Sequence, residues 1–185
     1  MAKNKIKAFK ERFDEFHENY YRLAKNIIKG QNSETEIGVY LDKKLKAESL
    51  ILLNTVFIDK YENDLIIISE KGLFTLEIKN HKCIMEWRDG EFIERRGKAE
   101  LKGVNDPYKQ ALNHKKTLEE LLESRYQANS YILLANDETD YKADNKDILN
   151  SVYYIDEFIK NFNNLERIYT TEQVEEIYAL IQEKG

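Results

Sequence analysis

The stretch DLIIISEKGLFTLEIKN, residues 64–80, decides how this sequence folds. Two apolar runs flank a short turn, which is the pattern of two adjacent antiparallel strands. Because successive side chains of a strand point to opposite sides, one face of this hairpin carries only apolar residues. That face consists of Leu65, Ile67, Phe74, Leu76 and Ile78. We expect it to pack in the core of the protein.

Three charged side chains lie at the ends of the same two strands. A two-residue turn at 70–71 places Asp64 directly opposite Glu77, whereas a turn at 71–72 places Asp64 opposite Lys79. Because the side-chain period of a strand is two, either register puts Asp64, Glu77 and Lys79 on one face of the sheet. The sequence therefore predicts a cluster of two acids and one lysine.

The two acids of this cluster predict a metal site. Neighbouring carboxylates repel each other unless they share a cation or one of them is protonated. Their hard oxygen donors suit Mg²⁺ or Mn²⁺, with the Ile78 carbonyl as a third ligand. Lys79 would then orient or help activate a water molecule. The alternative is that Asp64, Glu77 and Lys79 are ordinary strand-end charges surrounded by water, and the hairpin by itself does not separate the two interpretations.

The rest of the chain alternates between helical and strand patterns, which indicates a mixed α/β domain. Ser33 would begin a helix, with Glu36 at the capping-box position. Further strands are predicted at 50–58, 82–88, 91–95 and 130–135, and in SVYYI, 151–155. Helices are predicted at 107–124, 156–161 and 171–184, and the polar segment 136–147 is predicted to be a surface loop or a strand edge.

The helix predicted at 107–124 has a well-marked start. Pro107 is a favoured first-turn residue, and Asp106 before it is a plausible cap. Gln110 lies on the first turn, so its amide could reach the charged face of the hairpin if the helix covers that face. Taken alone, Gln110 indicates only a surface amide.

Residues 1–29 are interpreted as an added amphipathic helix, ahead of a domain that spans 30–185. Apolar residues recur at spacings of three and four from Ile6 to Ile27, and Gly30 would end the helix. This stripe either packs against the protein's own core or forms the seam of a homodimer, since a coiled coil has the same spacing.

Composition and charge narrow the classes of function. The net charge of −5 argues against a protein that coats nucleic acid by bulk electrostatics, although residues 1–30 carry a net charge of +4. No apolar run approaches the roughly 18 residues that span a bilayer, and the first residues lack the apolar core of a signal peptide. The single cysteine, Cys83, excludes an intrachain disulfide and a four-thiolate metal site. Together these features predict a cytoplasmic protein without a membrane partner.

Four blocks of this sequence resemble the nuclease-related domain family, a branch of the PD-(D/E)xK nuclease fold. The blocks are GQNSETEIGVYL (30–41), ENDLIIISEKGLFTLEIKN (62–80), CIMEW (83–87) and NDPYKQALNHKKTL (105–118). The last block resembles the family's Asn-Pro-x-x-Gln helix with its trailing His and Leu. The resemblance implies a restriction-endonuclease-like α/β fold, a mixed sheet flanked by helices.

The resemblance also implies a set of site residues. Asp64 and Glu77 would hold a divalent metal, Mg²⁺ or Mn²⁺, and Lys79 would serve the attacking water. Glu34 would assist the metal or the water, and Gln110 would orient the reacting groups. The implied reaction is metal-dependent hydrolysis of a phosphodiester, with DNA as the expected polymer because the fold's known members mostly cut DNA.

Two departures from the family pattern bear on these roles. Glu62-Asn63 stand where the family usually has Gln-Ile, and Ser33 stands where a Gly commonly precedes the helix acid. Glu36 competes with Glu34 for the place of that acid, but Glu34 keeps the better spacing to the apolar residues that follow. Two other functions stay open: a catalytically silent nucleic-acid-binding or adaptor module on the same fold, and a helix-mediated interaction protein that relies on residues 1–28.

Overall fold

The computed structural model describes residues 33–47, 49–57, 61–103 and 105–184. The predicted N-terminal helix, its possible homodimer seam and the domain boundary near residue 30 lie outside these residues. The helices are α1 (Ser33–Lys44), α2 (Pro107–Leu121), α3 (Lys146–Leu149), α4 (Ile155–Asn164) and α5 (Thr171–Lys184). The strands are β1 (Ser49–Phe57), β2 (Tyr61–Ser69), β3 (Gly72–Lys79), β4 (Ile84–Arg88), β5 (Glu91–Arg96), β6 (Ala99–Lys102), β7 (Ala128–Leu134), β8 (Asp140–Ala143) and β9 (Val152–Tyr154). Among the described helices, none has the length and apolar character to cross a membrane.

The strands form two mixed sheets, which confirms the predicted mixed α/β fold. The first sheet has the order β1-β2-β3-β7-β9, with β1, β2 and β3 antiparallel and β7 and β9 parallel to β3. The second sheet has the order β6-β5-β4-β8, and only β8 joins it in parallel. Strand β3 is therefore the centre of the first sheet, between β2 and β7.

The β2–β3 hairpin adopts the first of the two registers that the sequence left open. Ser69 pairs with Gly72, so the turn consists of residues 70–71. Gly72 has a φ of 141°, a value that other residues adopt only with strain. The pairing continues to Leu65 opposite Leu76. This register brings Asp64 level with Glu77 at the next position.

Both faces of the first sheet are covered by helices. The apolar hairpin face packs against α1 and α4, as its pattern predicted. The opposite face packs against α2 and α5, with Ile66, Ile68 and Leu73 from the hairpin and Leu118 and Ile177 from the helices. A third apolar cluster joins β4 and β5 of the second sheet to β7, β9 and α2. Asp64 and Glu77 belong to the face that α2 covers, and this places their carboxylates under a helix.

Some element boundaries differ from the sequence prediction. Strand β2 begins at Tyr61, three residues earlier than expected, and β6 was not predicted. Helix α2 ends at Leu121 and not at residue 124, because Glu123 and Ser124 adopt left-handed backbone angles. The polar segment 136–147 contains the edge strand β8, which is the second of the two alternatives predicted for it.

Candidate active site

Asp64 lies where the regular pairing of β2 with β3 ends. Its Oδ2 accepts a hydrogen bond of 2.8 Å from the backbone N–H of Ile78. In a ladder that continued in the same register, that N–H would bond to the backbone of Asn63. The carboxylate of Asp64 therefore takes the place of a backbone acceptor, and this bond fixes it against β3.

Glu77 and Lys79 form a direct ion pair on β3. Lys79 Nζ lies 2.6 Å from Glu77 Oε1, and their side chains are only 16% and 5% exposed. Lys79 also donates a hydrogen bond of 3.3 Å to Gln110 Oε1. Because the two side chains are almost enclosed, this pair is far less screened by water than a surface ion pair. The structure thus places Lys79 in contact with two other predicted site residues.

Helix α2 positions Gln110 over this face of the sheet. Its start is fixed by Asp106, whose Oδ1 accepts hydrogen bonds from the N–H of Tyr108 (3.0 Å) and the indole N–H of Trp87 (2.8 Å). Pro107 is the first residue of the helix, as predicted. The condition that the sequence set for Gln110, a helix that covers the charged face, is met.

His114 is a site residue to which the sequence analysis gave no role. It lies one turn after Gln110, and its Nδ1 is 3.4 Å from Glu77 Oε2. That distance is longer than a well-formed hydrogen bond, and among the described residues the buried Nδ1 has no hydrogen-bond partner. Spacing alone could have found His114, because residues four apart lie on the same face of a helix. Burial, and secondarily the charge of Lys79, lower the pKa of His114 against the opposing effect of Asp64.

The pKa values of both carboxyl groups of the site are raised above their ordinary values. Burial, followed by the negative charge of Glu77, raises the pKa of Asp64 to about 6; the Ile78 N–H, Lys79 and His114 act in the opposite direction. Burial likewise raises the pKa of Glu77, while the charge and hydrogen bond of Lys79 oppose it. One lysine therefore compensates two buried acids only in part.

Glu34, on the first turn of α1, also acts on this site. Its negative charge contributes to the raised pKa of Glu77, so its carboxylate lies within electrostatic range. Glu36 is exposed and lies beside Tyr40 and Asn80 in a shallow surface pocket. Of the two acids that competed in the sequence, Glu34 is therefore the better placed.

Comparison with known protein families shows which family the chain belongs to. A family model described as a nuclease-related domain matches residues 29–135. The chain belongs to the nuclease-related domain family. Comparison with curated proteins and with solved structures gave no match. The nuclease-related domain contains all five predicted site residues and His114, and the PD-(D/E)xK assignment is consistent with this family.

The donor atoms of this nuclease-related domain fit a divalent cation. The candidate ligands are the carboxylates of Asp64 and Glu77, which are hard oxygen donors of the kind that Mg²⁺ and Mn²⁺ prefer. The N–H and C=O of one strand residue point to the same side, so the Ile78 carbonyl faces the side where its N–H meets Asp64. A cation would also supply the positive charge that is needed, in addition to Lys79, to compensate both carboxylates.

The raised pKa of Asp64 predicts how the metal-free protein responds to pH. The folded state holds the Asp64 proton more tightly than the unfolded state, in which the pKa is near its ordinary 3.8. Stability is therefore lost as the pH rises from 3.8 to about 6, and the loss is complete above that window. Asp64→Asn should remove the destabilising effect of the buried negative charge. Above about pH 6 it should raise the free energy of unfolding by about 2 kcal/mol, allowing for the partial exposure of the carboxyl.

Urea unfolding in EDTA at about pH 7.5 and about pH 4 measures this effect. The gain from Asp64→Asn should be present at the higher pH and nearly absent at the lower one. Asp89→Asn is a matched control, because Asp89 is 88% exposed and should give little change at either pH. An equal gain from Asp64→Asn at both pH values would contradict a raised pKa.

Proposed function

We propose that this protein is a divalent-metal-dependent nuclease that hydrolyses phosphodiester bonds, with DNA as the expected substrate. The observation that carries the proposal is the contact of Lys79 with Glu77, in a site where Asp64 is fixed to the same strand by the Ile78 N–H. Two partly compensated acids and a lysine are costly to bury. Such a set is better explained by chemistry at this site than by stability.

Lys79 supplies a positive charge and a proton donor where the phosphate would react. An ammonium group has three N–H donors, and two of those of Lys79 bond to Glu77 and Gln110. The third has no acceptor among the described residues, so it is available to a water molecule or a phosphate oxygen. The Gln110 oxygen holds the ammonium in place, so Gln110 is a positioning residue for Lys79.

Asp64 and Glu77 would hold the cation. A divalent cation at these carboxylates would supply a Lewis acid that promotes ionisation of water and neutralises charge building on the phosphate. Glu34 adds negative charge that favours a cation. His114 Nδ1 lies 3.4 Å from Glu77 Oε2, at the edge of the same group of side chains. The surrounding helix and strands keep these groups apart from bulk water, which strengthens their electrostatic effects.

Cleavage assays on the full chain test this function. Purified protein with Mg²⁺ or Mn²⁺ should degrade at least one of linear, circular, single-stranded or branched DNA, and EDTA should abolish the activity. RNA substrates belong in the same panel. Gln110→Ala should slow cleavage, but by less than loss of Lys79, because water can partly replace an orienting amide. If no substrate is cut with either metal while the protein still binds DNA with salt-sensitive affinity, a silent binding module is the correct function.

A further inference from the structure

Outside the candidate active site, three side chains with metal-binding atoms converge where β4 meets β5. The imidazole of His81, the thiol of Cys83 and the carboxylate of Glu94 have ligand atoms that all lie within 4.8 Å of one another. His81 Nε2 is 2.9 Å from Glu94 Oε1. Cys83 and Glu94 are buried, with 3% and 6% of their surface exposed, and His81 is partly exposed. His81 is therefore the member of the cluster that solvent reaches most easily.

The backbone holds these residues in a rigid arrangement. Met85 pairs directly with Glu94 across β4 and β5, and Cys83 lies two residues before Met85 on the same side of the chain. The Cys83 carbonyl accepts a hydrogen bond of 3.0 Å from the N–H of Asp140. The His81 carbonyl accepts one of 2.7 Å from Thr139 Oγ1. The ligand-bearing segment is therefore anchored to the second sheet and does not depend on a cation to hold its shape.

The donor types indicate a different cation from the one expected at Asp64 and Glu77. Thiolate and imidazole are ligands of zinc and related transition metals, whereas Mg²⁺ and Mn²⁺ prefer oxygen donors. Three protein ligands would leave a tetrahedral ion one further position, which water would take. Only small side-chain shifts are needed for atoms within 4.8 Å of one another to reach a common ion.

We propose that His81, Cys83 and Glu94 bind a zinc-type divalent cation. The site lies immediately after Lys79 in the chain, so a bound ion would tie the segment that leaves β3 to strand β5. It would thereby restrain the end of β3 that presents the lysine. This inference does not depend on the proposed nuclease activity.

Three features of the metal-free protein oppose binding and can be overcome. His81 Nε2 lies 2.9 Å from Glu94 Oε1, so the imidazole must either bind through Nδ1 or release the proton that lies between them. Burial, and then the charge of Glu94, raise the pKa of Cys83 to about 11, so the cation must displace the thiol proton, as zinc does at cysteine ligands generally. Arg96 also bonds to Glu94 Oε1. The Arg96 side chain is 52% exposed and has room to turn into solvent. Glu94 would then exchange the guanidinium of Arg96 for the bound cation.

Titration of the purified full chain with Co²⁺ tests the proposal, because a cobalt–thiolate bond gives a charge-transfer absorption that oxygen ligands do not give. The wild type should show this absorption, and Zn²⁺ should abolish it by displacement. Cys83→Ser should lose it, and His81→Ala and Glu94→Gln should weaken Co²⁺ affinity at least about tenfold. Asp64→Asn is the control and should leave the cobalt–thiolate absorption unchanged.

Arg96→Gln keeps the test decisive if a ligand variant does not fold. It removes the competitor for Glu94 without touching a ligand, so Co²⁺ and Zn²⁺ should bind more tightly than in the wild type. Absence of the charge-transfer absorption in both the wild type and Arg96→Gln would overturn the proposal. Absorption in this region that persists in folded Cys83→Ser would overturn it as well. Failure of the cleavage assays would leave this result unaffected.

Discussion

Lys79→Met should slow DNA cleavage on the order of 10²-fold or more while Mn²⁺ still binds. The ammonium of Lys79 stabilises negative charge on the reacting phosphate or assists the water, and groups of this kind contribute about that much to a rate. Methionine keeps most of the aliphatic stem of lysine, so the variant removes chiefly the charge. Single-turnover cleavage measures the rate, and calorimetric titration with Mn²⁺ measures binding.

Binding of Mn²⁺ should be retained or tightened in Lys79→Met for an electrostatic reason. The ammonium 2.6 Å from Glu77 neutralises a carboxylate that the cation would use, so its removal leaves more negative charge for Mn²⁺. Lys116→Met is the control, because Lys116 is 75% exposed on α2 and pairs only with Glu120 among the described residues. A loss of Mn²⁺ affinity equal to the loss of rate in Lys79→Met would show that the lysine supports the metal site and does not act on the reaction.

The hairpin and its charged face were predictable because strand periodicity is a local property. The alternation of residues 64–80 placed Asp64, Glu77 and Lys79 together without any knowledge of the rest of the fold. Only the turn position had to be decided by the structure, which pairs Ser69 with Gly72. The contact between Lys79 and Gln110 could be foreseen only conditionally, since it depends on how α2 packs over the sheet.

Features that arise from pairing between distant segments were not predictable in the same way. A strand edge was one of the two alternatives predicted for 136–147, but the choice between them depends on β4, which offers β8 an edge more than 50 residues away in the chain. The cluster of His81, Cys83 and Glu94 requires the register of β4 with β5, which the sequence does not state. His114 is the exception, because its spacing from Gln110 was visible and its burial was not.

Asp64→Asn and Glu77→Gln should abolish the stabilisation that Mn²⁺ gives to the wild type. A ligand that binds only the folded state stabilises it by about 2.7 kcal/mol at 100 times its dissociation constant, or about 5–10 °C in melting temperature for a domain of this size. Each substitution removes one of the two carboxylates that would hold the ion. Melting curves at about pH 7.5 with EDTA and with Mn²⁺ measure the difference.

The two conditions should reverse the order of stability of the wild type and Asp64→Asn. In EDTA the variant should melt at the higher temperature, because burial of an ionised Asp64 is unfavourable and its pKa is raised to about 6. In Mn²⁺ the wild type should melt higher, because the cation compensates the same charge. Glu77→Gln should gain less in EDTA, since it removes the carboxylate that pairs directly with the ammonium of Lys79. If Asp64 and Glu77 were strand-end charges without a metal, Mn²⁺ would shift neither protein and Asp64→Asn would stay the more stable in both conditions.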